Sequence, residues 1–238
     1  MNDLLEFAIE AHGGWRAWNQ YQRMTAEASI GGAIWALKNV RDILQDKTFE
    51  LHTHEEYISI RPFGPDAVDT RFDGRTLRFE SNGIQVASYD APAKAFDGQA
   101  LDTPWQPMHA AYFASEAMWT YLASPFLYAY DGFKVREIEP WREDGEQWRR
   151  LEVIFPDHIA SHTRTQVTHF GPDGLMRRHD YTVDILGGTT GANYPSEYRR
   201  FQGIMMPTRR RIFAYDADRQ KVREPLLVSI DISSIQFA

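Results

Sequence analysis

TRTQVTHFGPDGLMRRHDYTVDILGG, residues 163–188, decides the fold. Two alternating runs, Thr163 to Phe170 and Leu175 to Leu186, meet across Gly171-Pro172-Asp173-Gly174. Proline and the Asp-Gly pair are turn chemistry, with glycine supplying the positive backbone angle a tight hairpin needs. The unit repeats outward on both sides. Upstream, Phe133 to Trp141 stops at Arg142-Glu143-Asp144-Gly145, and Gln147 to Phe155 stops at Pro156-Asp157. Downstream, past Gly187-Gly188, Tyr194 to Phe201 stops at Gln202-Gly203, and Ile204 to Tyr215 stops at Asp216-Ala217-Asp218. Leu226 to Phe237 closes the chain. Strands at this spacing, with no helical period between them, predict an antiparallel sheet from Asp131 to Ala238.

Alternation assigns its faces. Leu151, Val153 and Phe155 share one side while Arg150 and Glu152 take the other. His179 and Tyr181 fall in step with Leu175 and Val183. Arg210 falls in step with Ile204, Met206 and Ile212. A polar group on an apolar face is costly unless partnered, so His179 and Arg210 become candidates for function.

Before the meander, Asn2 to Ala11 has helical spacing and stops at His12-Gly13-Gly14. His12 reads as a helix-terminal residue facing the dipole. Trp15 to Tyr21 suggests further helical turns. Met24 to Ile30 is a first strand, bent at Gly31-Gly32 and resumed over Ile34 to Leu37. Asp46 to Thr53, Glu56 to Arg61, Ala67 to Phe72, Thr76 to Ser81 and Gly83 to Tyr89 are further strands. Pro62-Phe63-Gly64-Pro65, Asp73-Gly74 and Asn82-Gly83 punctuate them, and Ala91 to Thr103 is irregular. Pro107 to Leu122 breaks the strand pattern: it is a helix apolar nearly all round, hence buried, and it ends ahead of Ser124-Pro125. The class is mainly β: a large curled antiparallel sheet, a half-barrel, wrapped around a buried mid-chain helix, with a short N-terminal helix. No linker, repeat or low-complexity tract divides residues 1–238, so one domain is expected.

Net charge is −7, which disfavours a nucleic-acid partner. The arginine pairs sit on strands, where neighbours point to opposite faces, and suit cross-strand pairing with acids. With 0 cysteines, disulfides and thiol chemistry are excluded. No stretch has the roughly 20 apolar residues of a membrane span. The acidic N-terminus does not read as a signal peptide, so the expected location is cytoplasmic. The aromatic load, 14 Phe, 11 Tyr and 7 Trp, is enough to line an apolar cavity.

The order of parts resembles the LolA/LppX-like half-barrel fold of periplasmic lipoprotein carriers. The N-terminal helix with Ala11-His12-Gly13-Gly14, an opening strand pair, the mid-chain helix and the meander phrase Gly171 to Arg178 carry the resemblance. The chain also resembles an uncharacterised family of soluble bacterial proteins of this length. The resemblance implies a hydrophobic cavity; the carriers are exported, whereas this chain shows no export signal.

Histidines are the main chemical resource. His158 and His162 are spaced as an i, i+4 metal pair, though Pro156 disfavours the helix such a pair needs. His179, with Tyr181, is a core histidine or a general base within the cavity. His109, Tyr112 and Glu116 share one face of the buried helix, where histidine and glutamate could pair. His52, His54, Glu55 and Glu56 read as a surface strand edge. Trp119, Trp105, Phe113, Phe155 and Arg210 are the candidate ligand contacts. There is no G-x-S-x-G elbow, phosphate loop or G-x-G-x-x-G. The leading reading is a small hydrophobic or amphipathic ligand held in the half-barrel. The alternative is a hydrolase or lyase using inward His and Tyr as acid/base groups or metal ligands. The sequence names no particular cofactor and leaves that question open, and oligomeric state is not encoded in any motif.

Overall fold

The computed structural model describes residues 2–64 and 66–238. Pro65, part of one sequence-predicted turn, lies outside them. Helix α1, Asp3–Ala11, starts at Asn2, whose side chain accepts from the Leu4 and Leu5 amides. It buries Leu4, Leu5, Ala8 and Ile9 and stops at His12. Gly13 is required there: a Cβ would sit 2.6 Å from the Gly203 carbonyl oxygen, at a φ of +121°. A short helix α2, Trp15–Trp18, stacks Trp18 on Phe126 at 4.2 Å.

Strand β1, Arg23–Gly31, is followed by a helix α3, Ala33–Leu37, where the alternation predicts a resumed strand. Gly32 explains the difference. It packs its Cα against the Leu227 carbonyl at φ +116°, and the Ala33 and Ile34 amides then donate to Leu226 and Leu227. The chain is steered off the sheet, and Trp35 turns back to donate to the Gly31 carbonyl at 3.0 Å.

The first meander continues with β2 (Lys47–His52), β3 (Ile58–Phe63), β4 (Val68–Phe72), β5 (Thr76–Ser81) and β6 (Ile84–Asp90). A 3-10 turn, Pro92–Phe96, precedes α4, Pro107–Ala123. The second meander is β7 (Lys134–Glu143), β8 (Glu146–Ile154), β9 (Thr165–Phe170), β10 (Met176–Val183), β11 (Thr189–Phe201), β12 (Ile204–Tyr215), the short β13 (Lys221–Val222) and β14 (Val228–Phe237). The residue 175–186 run is shorter as a strand than its pattern predicts: Asp184–Leu186 is a 3-10 turn. β11 begins earlier than predicted, because Thr189 pairs with Val183 straight across the Gly187-Gly188 turn.

These strands form one sheet in the order β6-β5-β4-β3-β2-β1-β14-β12-β11-β10-β9-β8-β7, with β13 paired to β12. Every pairing is antiparallel, from Met24↔Phe237 at the β1–β14 seam to Lys134↔Ile154 at one rim. The path does not close on itself, so the sheet is a half-barrel with rims at β6 and β7. Topology then dictates where α4 must lie. It connects the strand at one rim to the strand at the other, so it crosses the concave face. All its residues from Met108 to Ala123 are buried, as the all-round apolar pattern predicts.

Outward side chains pair across strands: Arg149 with Glu137, Arg136 with Glu152, Arg211 with Asp231, and Arg177 with Glu146; Arg177 also pairs with Asp173 of the preceding turn. Arg178 is an exception, fully buried on this face. It bonds Asp180 at 2.6 Å and Glu143 at 2.8 Å, under Trp141, Tyr194 and Tyr215.

Candidate functional site

Between α4 and the sheet lies a narrow apolar cleft. Ala114, Ala117 and Met118 face Ile30, Trp35, Ile212 and Ile230. The two alanines leave the space that larger residues on the same stripe fill. The cleft holds about 60 Å3. Sites that take a drug-sized ligand hold roughly 300–1,000 Å3, so the structure shows the trough closed by its own helix.

One wall of the cleft is polar: Tyr121, His162 and Tyr181. His162 Nδ1 lies 2.8 Å from Glu116 Oε1, both groups buried. A carboxylate only accepts, so Nδ1 carries the hydrogen and Nε2 accepts from the Tyr121 hydroxyl at 3.2 Å. The Tyr121 hydroxyl in turn accepts from Tyr181. The result is a four-residue chain, Tyr181 to Tyr121 to His162 to Glu116. It orients the imaginable base but keeps its acceptor nitrogen occupied. Burial pushes both tyrosine hydroxyls further from ionisation than the free side chain.

His162 arrives on the β8–β9 connection, a strap over residues 156–164. Its ring packs on Phe113 at 5.0 Å. A second tie holds the strap: the Ala160 amide donates to Glu56 Oε2 at 2.8 Å. Glu56 is therefore buried rather than part of a surface strand edge. Burial raises its carboxyl well above the usual range, and the Glu116 charge adds to this.

Beyond the Tyr121–Tyr181 pair is a layer of inward polar residues. Thr168, His179 and Asn193 lie side by side across β9, β10 and β11. Arg210 lies one inward step along β12, opposite Ile230. Its guanidinium, 2% exposed, sits 5.1 Å from the Tyr121 ring centre and donates through Nη2 to the Tyr121 carbonyl at 2.8 Å. His179 is edge-on to Tyr121 and Tyr181. Burial, with Arg210 and His162 nearby, lowers its pKa to about 3, so it is neutral.

The sequence-predicted candidates therefore divide. Tyr181, Phe113 and His162 line the cleft, with Glu116 bonded behind His162; His179 and Arg210 stand one layer behind it. His109 is elsewhere: its Nδ1 accepts from the Gln106 amide at 3.0 Å, capping α4. It does not pair with Glu116. Tyr112 lies edge-on to Phe72 at 5.4 Å. Trp119 donates to the His52 carbonyl at 3.0 Å, Trp105 packs behind Phe113 at 5.2 Å, and Phe155 stacks edge-on to Phe133 at 4.9 Å. None of these three lines the cleft. His158 is exposed while His162 is buried against Glu116, so the i, i+4 spacing does not assemble a pair. Among the described residues no group of three or more His, Cys, Asp or Glu could hold a metal. His12 sits at its helix terminus, where Nδ1 donates to the Ala8 carbonyl at 2.7 Å. Burial lowers its pKa to about 4, so it acts as a neutral donor rather than a cation on the dipole.

Sequence reasoning missed Tyr121 and Asn193. Tyr121 lies five residues past Glu116, off the stripe searched. Asn193 falls in Thr-Thr-Gly-Ala-Asn, which reads as loop but forms the start of β11.

No protein-family model matches the chain, and no curated protein matches its sequence. Solved structures do match. A LolA superfamily protein from Nitrosomonas europaea superposes with TM-score 0.55 at 8% identity, over 98% of this chain and 92% of that one. A DUF1329 family protein from Desulfovibrio piger gives 0.53 at 14%, over 98% and 91%. A domain named for outer membrane lipoprotein sorting, from Vibrio parahaemolyticus, gives 0.53 at 9%, over 98% and 91%. The chain has the LolA/LppX-like half-barrel fold. This corrects the expected cytoplasmic location. A neighbour of the same fold is named for outer membrane sorting, which points away from the cytoplasm, and an acidic N-terminus was too little to set against it. No helix of the described residues is long and apolar enough to cross a membrane.

Proposed function

We propose that residues 1–238 act as one half-barrel domain that holds a hydrophobic or amphipathic small molecule between α4 and the sheet. The observation that carries this is the apolar cleft under Ala114 and Ala117, on the concave face that α4 roofs. The named sorting role of one structural neighbour agrees with it. At about 60 Å3 the cleft must widen to admit a ligand, and it would do so by separating α4 from the sheet and the two rims that α4 joins from each other.

Two measurements test the reading. Organic extracts of the purified protein, analysed by mass spectrometry, should contain a stoichiometric apolar compound, or the empty protein should bind the neutral dye Nile red saturably. Ala117→Leu should fill the cleft, abolish that binding and leave the melting temperature equal or higher, as cavity filling does. Absence of both ligand and saturable dye binding would remove this function.

The Tyr181–Tyr121–His162–Glu116 chain supports a second reading, acid/base catalysis on a molecule in the same cleft. It requires that a bound molecule displace Tyr121 from His162 Nε2. A reaction that Glu116→Gln slows without weakening binding would favour it.

A further inference from the structure

The layer behind Tyr121 is short of partners. Arg210 Nε and Nη1, His179 Nε2, and both Asn193 side-chain polar atoms are buried without a hydrogen bond. Buried polar atoms of native proteins are nearly all paired, and these belong to neighbouring inward positions of β10, β11 and β12. The guanidinium has a further deficit. An arginine remains protonated, yet among the described residues no carboxylate pairs with Arg210. The groups around it are Tyr121, Tyr128, Tyr181 and Tyr198, and burial holds each of these hydroxyls in its neutral form. A buried cation without a counter-charge is unfavourable. The neighbourhood lacks one negative charge and several acceptor atoms together.

We infer that Arg210, with Asn193 and His179, is the binding site for an oxyanion head group of the ligand, whose apolar chain occupies the cleft. This rests on the cleft being a ligand site and names the ligand class as an anionic amphiphile. The two sites adjoin. Tyr121, Tyr181, Ile212 and Ile230 line the cleft; Ile230 on β14 pairs with Arg210, Ile212 follows it on the same inward row, and Tyr121 lies on its guanidinium. A carboxylate passing the Tyr121 ring would accept a charged hydrogen bond from Arg210 Nε–H or Nη1–H, the two unpartnered donors, and another from the Asn193 amide. His179, neutral, offers Nε2–H or accepts from a protonated head. A zwitterionic or neutral head leaves the charge deficit in place.

The test compares dodecanoate with dodecanol, by calorimetry or Nile red displacement, on delipidated protein at one pH. Wild type should bind the acid roughly 10-fold or more tighter, the difference a charged hydrogen bond makes. Arg210→Met, which removes an unpaired buried charge and keeps an apolar stem, should bind both equally. Asn193→Leu should reduce the preference in part, and gives the same readout if Arg210→Met does not fold. Acetate or inorganic phosphate alone, raising the melting temperature of wild type but not of either variant, would show the same oxyanion site serving a free anion. Equal binding of acid and alcohol by wild type overturns the inference and leaves the cleft reading standing; binding of neither overturns both.

Discussion

At the level of single residues, burial has set charge states that solution pH can probe. His179 and His12 have folded pKa values of about 3 and about 4, below the 6.5 of the free side chain. The unfolded chain therefore binds more protons between those values and 6.5. Stability is intact above about pH 6.5 and falls as pH drops through that window. Glu56 has the opposite sign: its raised carboxyl keeps a proton in the fold that the unfolded chain has released, so stability falls as pH rises above the free value of 4.5. Melting temperature against pH should be bell-shaped. His179→Leu should shrink the acid limb. Glu56→Gln, which still accepts the Ala160 amide, should melt higher than wild type at pH 8, with the gap closing toward pH 4. Neither charge state was legible beforehand. Alternation showed that His179 faces inward, but the second layer around it comes from α4, and no local spacing reveals that. Glu56 sits beside exposed Glu55 and reads like it.

At the level of elements, the strap and α4 hold each other. His162→Ala would leave Glu116 buried with one partner lost, which costs about 3 kcal/mol or more for a broken buried pair. His162→Ala with Glu116→Leu should recover much of that, because removing both members spares the orphaned charge. Urea unfolding of the single and double variants measures the coupling. The helix itself was plain in the sequence, since Pro107 to Leu122 departs from the strand period on every side. The strap was not. His158 and His162 share a spacing that suggests cooperation, but the segment after Pro156 is a tight turn, closed by the Ile159 amide on the Pro156 carbonyl, that leads into irregular chain, and it turns one imidazole outward and the other in. α3 shows the converse: four residues with strand-like alternation become a helix because Gly32 lies hard against the Leu227 backbone.

For the molecule as a whole, the first and last strands are neighbours in the middle of the sheet. β1 joins β14 from Met24↔Phe237 to Gly31↔Ser229. Most of the chain must be positioned before that seam forms, and such long-range pairing makes folding slow. Removing residues 226–238 should abolish cooperative unfolding rather than shave stability, because it exposes the inner row of both β1 and β12. Circular dichroism melts check this. The turns, most of the strands and the curled class followed from period and punctuation along the chain, whereas the short β13 did not. The order of strands, which sets β1 against β14, depends on contacts that no short-range pattern contains.

The route of α4 from β6 to β7 makes it a strut fixed at opposite rims of an open trough. Whatever is wedged beneath the strut spreads the rims, so cargo can be weighed from outside, by a ruler laid between them. Spin labels at Ser88→Cys and Glu139→Cys, both exposed, should stand farther apart when the trough is loaded and draw together on extraction.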